Sequence, residues 1–280
     1  MINHYIPTTL KEALKILNEH DCYIMAGGTD LMVQKHRSTG LLPNFDKDIL
    51  YVMNIKELDY IKVDSEGNLH IGAMNRYCEL MNSSLVPDIF KTVFKEIASP
   101  NIRNMATLVG NIANASPAGD SLVPLNLFGA SVVLESVDGR REVLVEDFIQ
   151  GVRKIDRKQN ELITEVIVPN VDLNLYYRKV GARRAESITK VSIMGGYKVE
   201  GGRIKDFRVC FGSISIKVVR NHIIEQKYTG ISANEFRARI DDIVNEYEID
   251  IKPIDDQRST AEYRRKVAKN LLRDFLKKVK

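Results

Sequence analysis

Cysteine is scarce in this chain of 280 residues: Cys22, Cys78 and Cys210 are the three it has, and they lie far apart. An odd, scattered set argues against a disulfide framework. No CxxC pair occurs, which argues against a structural zinc or an iron–sulfur cluster held by this chain alone. Histidine is thin as well. His4, His20, His36, His70 and His222 are dispersed, never in an HExxH arrangement, and read as surface or structural residues. Long apolar runs are missing: none approaches the roughly 20 residues that a membrane-spanning helix needs. The start, MINHYIP, has no basic segment followed by an apolar stretch. A secretory signal is therefore not expected, and the cytoplasm is the expected compartment. Any cofactor should be organic and held by backbone and small polar groups.

What is present is an ordinary soluble balance, 44% hydrophobic and 28% charged, which excludes a chain disordered throughout. The length suits one large domain or two modest ones. The net charge of +4 is unevenly placed: residues 263–280 carry +7, leaving −3 elsewhere. A basic end can signal nucleic acid. The plainer reading is an amphipathic helix from Ser259, with Tyr263, Val267, Leu271, Phe275 and Val279 on one stripe and the cations solvated. No nucleic-acid motif accompanies it.

Residues 8–20 predict a first helix, with Thr9 and Glu12 as a capping box and Leu10, Ala13, Leu14 and Leu17 on one face. CYIMA (22–26) reads as a short strand running into GGTD (27–30), with LMVQKH as helix. Residues 48–55 and 60–73 suggest strands, turning at Glu66-Gly67-Asn68. Residues 75–97 look helical apart from Pro87. LVPLNLFG (122–129) looks helical, 130–136 and 141–145 are strands across Asp138-Gly139, and 161–169 is another. After Pro169, residues 191–215 suggest antiparallel strands joined at Gly201-Gly202, and helices are expected near 217–228, 233–247 and 259–280. The class is α+β, in two parts, 1–172 and 173–280.

Two segments attract chemistry. In Ile24-Met25-Ala26-Gly27-Gly28-Thr29-Asp30-Leu31 the paired glycines let the backbone turn tightly and approach a ligand. Several N–H groups can then converge on an anion such as a pyrophosphate. The turn is neither the GxGxxG of a Rossmann site nor a P-loop. A tight strand–helix turn with Asp30 as cap is the alternative. The second segment, Asn104 to Gly119, has sixteen residues without a charge. It is small and amide-rich, which suits a backbone wrapped around a large ligand. Asp120 ends it and either accepts hydrogen bonds from sugar hydroxyls or caps the helix at 122–129.

AGGTDL (26–31), SPNIRNMATLVGNIANASPAGDS (99–121), KVGARRAESI (179–188) and STAEYRRKVA (259–268) occur in this order. Together they resemble the FAD-binding subunit of the molybdenum hydroxylases, the family of xanthine dehydrogenase and carbon monoxide dehydrogenase, over essentially the whole chain. The resemblance implies a two-lobed FAD-binding domain of the vanillyl-alcohol-oxidase/PCMH type followed by a smaller α/β domain. It places Ile24, Met25, Ala26, Gly27, Gly28, Thr29, Asp30 and Leu31 against the FAD pyrophosphate. Thr107, Leu108, Val109, Gly110 and Asn111 would form the second FAD loop. Asp120 would bind FAD hydroxyls, Ile163 would contact the cofactor through its main chain, and Lys179 would lie near the flavin. Ile97 falls where some relatives place an aromatic beside the isoalloxazine. Many relatives have two glycines where this chain has Val109-Gly110, so Val109 is expected in a β-like conformation.

The resemblance also implies a division of labour. Molybdopterin sits on a large partner subunit and [2Fe–2S] clusters on a small one, in a heterotrimer or its dimer. The flavin links the clusters to NAD⁺ or another acceptor. No metal site and no acid–base pair is expected on this chain. Arg183 and Arg184 either attract an anionic nucleotide, pair with a partner or are plain surface residues. Purines are the first choice of substrate, with nicotinate, carbon monoxide and aldehydes open. A stand-alone flavin reductase of related fold and a non-enzymatic binding protein are the other classes.

Overall fold

The computed structural model describes residues 2–280. The first lobe is β1 (His4–Tyr5), α1 (Leu10–Glu19), β2 (Cys22–Met25), α2 (Leu31–Gln34) and β3 (Asp48–Tyr51), with a parallel sheet in the order β1-β3-β2. Thr9 caps α1, its Oγ1 accepting from the Glu12 N–H at 3.2 Å. The Glu12 carboxylate answers one residue early, accepting from Thr8 N–H at 3.1 Å. Ala13, Leu14 and Leu17 are the buried face of α1.

The second lobe runs through β4 (Ile61–Val63), β5 (Leu69–Gly72), α3 (Tyr77–Asn82), α4 (Asp88–Lys95), α5 (Pro100–Arg103), α6 (Leu108–Asn114), α7 (Leu122–Phe128), β6 (Ser131–Ser136), β7 (Gly139–Leu144), α8 (Val145–Phe148), the small pair β8 (Ile149–Gly151) and β9 (Lys154–Ile155), and β10 (Leu162–Val168). Its sheet is antiparallel, ordered β4-β5-β10-β6-β7. The central β10 is buried almost throughout, and its two polar residues are bonded, Thr164 Oγ1 donating to Glu135 at 2.7 Å and Glu165 accepting from Tyr60 OH at 2.9 Å.

The third sheet, β11 (Asn174–Val180), β12 (Val191–Glu200), β13 (Arg203–Gly212) and β14 (Val219–Arg220), is antiparallel in chain order. Side chains alternate across a strand, and here the two faces serve two cores. Met194 and Cys210, opposite each other, join the core of the first two lobes, whereas Ile193 and Phe211, the next pair, join a second core. That second core is closed by α9 (His222–Tyr228), α10 (Ala233–Ala238), α11 (Ile240–Tyr247) and α12 (Ala261–Leu276).

All seven residues of α7 are buried, so its last carbonyls have no water to bond. Two arginines of the third sheet supply the donors. Arg220 reaches Asn126 O at 2.8 Å and Arg208 reaches Leu127 O at 3.1 Å.

Five expectations need correction. The charge-free stretch is not a wrapping loop, because Leu108, Val109 and Ile112 share a buried face and draw it into α6. Val109 is therefore helical, not β-like. The helix expected near 217 starts at His222, since Val219 and Arg220 pair with β13. That expected at 233–247 is two helices, α10 and α11, broken at Arg239. The buried face of α12 is Arg264, Ala268, Leu272, Phe275 and Leu276: of the expected stripe Phe275 and Val279 are buried, Val267 and Leu271 partly so, and Tyr263 is exposed. Arg264 can sit on that face because Asp256 meets it at 2.6 Å.

Candidate functional site

The first lobe meets the second where β2 ends. Gly28 turns the chain with φ +68°, a conformation open mainly to glycine. Gly27 lies against backbone: a Cβ there would sit 1.8 Å from Met105 O. The turn thus rests directly on the strand of chain that leads into Thr107. Among the described residues, the N–H groups of Gly27, Gly28, Thr29, Asp30 and Leu31 donate to no acceptor in the protein. Five consecutive N–H groups in a half-buried turn are thus left without a protein acceptor. Asp30 makes no side-chain cap. Its carboxylate instead accepts from Gln34 Nε2, which also reaches Asn114 Oδ1 at 3.1 Å and ties α2 to α6.

In the second segment Thr107 is buried and caps α6, Oγ1 accepting from Gly110 N–H at 3.0 Å. Leu108 and Val109 face the core. Asn111 Oδ1 accepts from Ser121 Oγ at 2.7 Å, and Tyr77 OH donates to the same Ser121 at 3.0 Å. The helix start and the segment 116–121 are thereby locked together.

Asp120 does not cap α7: Ser121 is the capping residue, with no side-chain bond of its own. Asp120 is instead paired with Lys179, Nζ to Oδ2 at 2.7 Å, with side chains 8% and 7% exposed. Lys179 also donates to Glu96 O at 2.8 Å, and Thr189 Oγ1 donates to Asp120 Oδ1. Burial pushes the Asp120 carboxyl above its ordinary range, against the pull of Lys179. Burial raises Glu96 in the same way. The neighbouring Tyr177 hydroxyl is buried without a partner.

Ile163 is buried in β10 beside a bulge between Ile163 and Glu165. Ile97 is half-buried. Its carbonyl and that of Ala98 are held by Arg103 Nη1 at 2.6 and 3.0 Å, and Ala98 has φ +43°, strained for a residue with a side chain. Arg183 folds back on the carbonyls of Ala185 and Glu186 at 3.0 and 2.8 Å, while Arg184 is exposed without a partner among the described residues.

The structure therefore brings the two glycine-bearing segments into contact and pairs Asp120 with Lys179. Sequence reasoning missed Thr189, Arg103 and Glu96, which position those residues. Thr189 and Arg103 lie in or beside the motifs, but nothing in their spacing indicates a partner. Among the described residues no group of His, Cys, Asp or Glu is placed to hold a metal ion, and no helix is long and apolar enough to cross a membrane.

Comparison with known proteins adds the following. Residues 1–171 match the model of the FAD binding domain in molybdopterin dehydrogenase, and residues 176–279 that of the CO dehydrogenase flavoprotein C-terminal domain. The chain is similar to the glyceraldehyde dehydrogenase medium chain of Sulfolobus acidocaldarius, 30% identical over 275 residues that cover 97% of this chain and 95% of that one. It is similar to the xanthine dehydrogenase FAD-binding subunit of Escherichia coli O157:H7, 25% identical over 80% of this chain and 78% of that one. Its fold matches a chain of the Cu,Mo-CO dehydrogenase crystal structure with a TM-score of 0.87, at 23% identity over 99% of this chain and 97% of that one.

Proposed function

The chain belongs to the family of FAD-binding flavoprotein subunits of the molybdopterin dehydrogenases, and from that premise we propose that it is the electron-transfer subunit of a cytoplasmic molybdenum hydroxylase. In this reading it takes electrons from [2Fe–2S] clusters on a small partner and passes them to an acceptor outside the chain. Residues 1–172 carry the FAD and residues 173–280 close the site.

The observation that carries the reading is the run of free N–H groups from Gly27 to Leu31 beside the start of α6. Five donors without acceptors fit a diphosphate, whose oxygens need donors and little else. Ile24 to Leu31 and Thr107 to Asn111 would hold the extended part of FAD from two sides. Asp120 spends one bond of each oxygen on Lys179 and Thr189. A carboxylate has about four acceptor positions, so Asp120 can still take sugar or ribityl hydroxyls. Lys179, fixed by Asp120 and Glu96 O, presents a buried ammonium near the ring system, and Ile97 and Ile163 give it apolar walls. FAD, when bound, accepts electrons singly and can release them as a pair. The residues of this chain bind, orient and keep water out.

The oxidised substrate belongs to the large partner. Xanthine was the choice from sequence alone. The fuller and higher-identity match to the glyceraldehyde dehydrogenase chain favours an aldehyde instead. Co-expression with the neighbouring large and small subunits tests both readings. Turnover of glyceraldehyde without xanthine supports the aldehyde, and the reverse supports the purine. Heat denaturation of the purified chain should release FAD close to one per chain. Release of FMN alone, or no flavin after reconstitution, would overturn the assignment.

A further inference from the structure

A cavity of about 230 Å³ opens between the segment 116–118 and the third sheet with its following helices. None of the residues proposed to hold FAD lines it, so the inference stands apart from the flavin reading. At its base are Arg264 and Ser213, each 5% exposed. Arg264 Nε and Ser213 Oγ have no hydrogen-bond partner. Arg264 Nη2 faces Asp256 Oδ1 at 2.6 Å as an ion pair, without the alignment of a hydrogen bond. Arg264 Nη1 donates to Ser213 O at 3.4 Å.

Asp256 does not neutralise the cavity. It is the one acidic residue of the lining, against Lys252, Arg258 and Arg264, and Arg258 Nη1 also draws on it at 3.3 Å. Two positive charges are left in excess. A buried guanidinium N–H and a buried hydroxyl without partners each cost free energy until something accepts from the first and bonds the second. An anion does both, through charge-assisted bonds. The mouth is mixed, with Lys252 and Arg258 exposed at it. Val152, Ile188, Ile216 and Ile254 all line it and all are exposed. Four branched aliphatics around one opening form an apolar collar, shared with those two exposed cations, above the buried Arg264.

We propose that this cavity is a binding site for a small organic anion, a carboxylate or phosphate ester with an apolar body, seated with its charged group on Arg264 and Ser213. The volume is below the roughly 300–1,000 Å³ of drug-sized sites, which limits the ligand to about one ring and its anionic group. Thr189 gives the site a link to the rest of the molecule, since it lines the cavity and also bonds Asp120.

Equilibrium dialysis of the full chain against benzoate, with benzyl alcohol as the neutral comparator and inorganic phosphate as competitor, tests this. Benzoate should saturate near one per chain, bind at least about tenfold more tightly than benzyl alcohol, and be displaced by phosphate. Ile216→Asp and Ile254→Asp place a negative charge on the exposed collar without disturbing the core. Each should weaken benzoate about tenfold at an unchanged melting temperature. Arg264→Met should act in the same direction, but it also strands Asp256, so the collar variants decide. No saturation up to about 10 mM benzoate, equal binding of the alcohol, or collar variants that bind like the unmodified chain would each overturn the proposal.

Discussion

A methyl group on Gly27 would meet the carbonyl oxygen of Met105 at 1.8 Å, whereas one on Gly28 would meet only Met32 and Met25 side chains at 3.4 Å or more. Gly27→Ala must therefore move backbone, at about 1–3 kcal/mol. Gly28→Val has room but is held at φ +68°, which costs about 1–2 kcal/mol. Calorimetry of the apoprotein should show a lower melting temperature for both, and both should lose FAD. A Gly27→Ala chain with unmodified stability and flavin content would show that the two segments do not touch. Asp120 gives a second test. The pair that it forms with Lys179 is buried on both sides. Removing one charge, as in Asp120→Asn, strands the other, at about 3–5 kcal/mol. Urea denaturation of the apoprotein should show that loss, and adding Lys179→Met should recover part of it. The thiols give a third. Burial, with Asp48 and Asp21 nearby, pushes Cys22 up to about 11, and burial also raises Cys210. The reactive thiolate at Cys22 forms only as pH approaches that value, so iodoacetamide near pH 8 should label the half-buried Cys78 alone in the native chain and all three after denaturation. Equal labelling of Cys22 and Cys78 by mass spectrometry would contradict this.

The element that most depends on its surroundings is α7. A helix buried on every side cannot leave its final carbonyls bare, and the donors come from β13 and β14, 81 and 94 residues later. Arg220 also meets Glu225 at 3.1 Å, and Glu225 accepts from Val209 N–H at 2.9 Å. Arg220→Met therefore removes a cap and strands a buried carboxylate. It should cost about 3–5 kcal/mol, read as a lower urea midpoint. Glu225→Gln in the same chain should recover part of it. An effect within about 0.5 kcal/mol would mean that water takes over both roles. The contrast with α1 is instructive. Its cap, apolar face and length all lie within a dozen residues, and sequence pattern located it to within two residues at each end.

At the level of the whole molecule, the third sheet is shared between two cores, one face on α7 and the other on α9 to α12. The C-terminal part is thus a wall of the first core, and Lys179 and Thr189 are carried into the site on that wall. The chain matches an FAD binding domain over residues 1–171, and among the described residues no group of His, Cys, Asp or Glu is placed to hold a metal ion. Metal analysis of the isolated subunit should find neither molybdenum nor stoichiometric iron, while dithionite should still bleach its flavin. Oxidation of an aldehyde or a purine should require the two partner subunits. Substrate hydroxylation by the isolated, metal-free chain would overturn the family reading of its role.

Much of the fold was legible locally. Periods of 3.6 and 2, caps and glycine turns locate α1, β2, the hairpins and β10, and four motifs in order identify the family. The failures share a physical cause. The stretch 104–119 has no strong apolar period of its own, and it becomes helical at Leu108–Asn114 because Leu108, Val109 and Ile112 find a core built by other elements. The buried face of α12 widens toward Arg264, at the expense of Tyr263, because a charged residue is acceptable inside once Asp256 is beside it. Asp120 and Lys179 were both singled out from sequence, yet their pairing was not, since residues 59 apart carry no sign of contact in their spacing. The sequence by itself determined which segments turn, which span a core and which family they compose. Only the tertiary structure decided which buried charges meet and which donors stay free, because desolvation and pairing depend on neighbours that the chain brings together from far along its length.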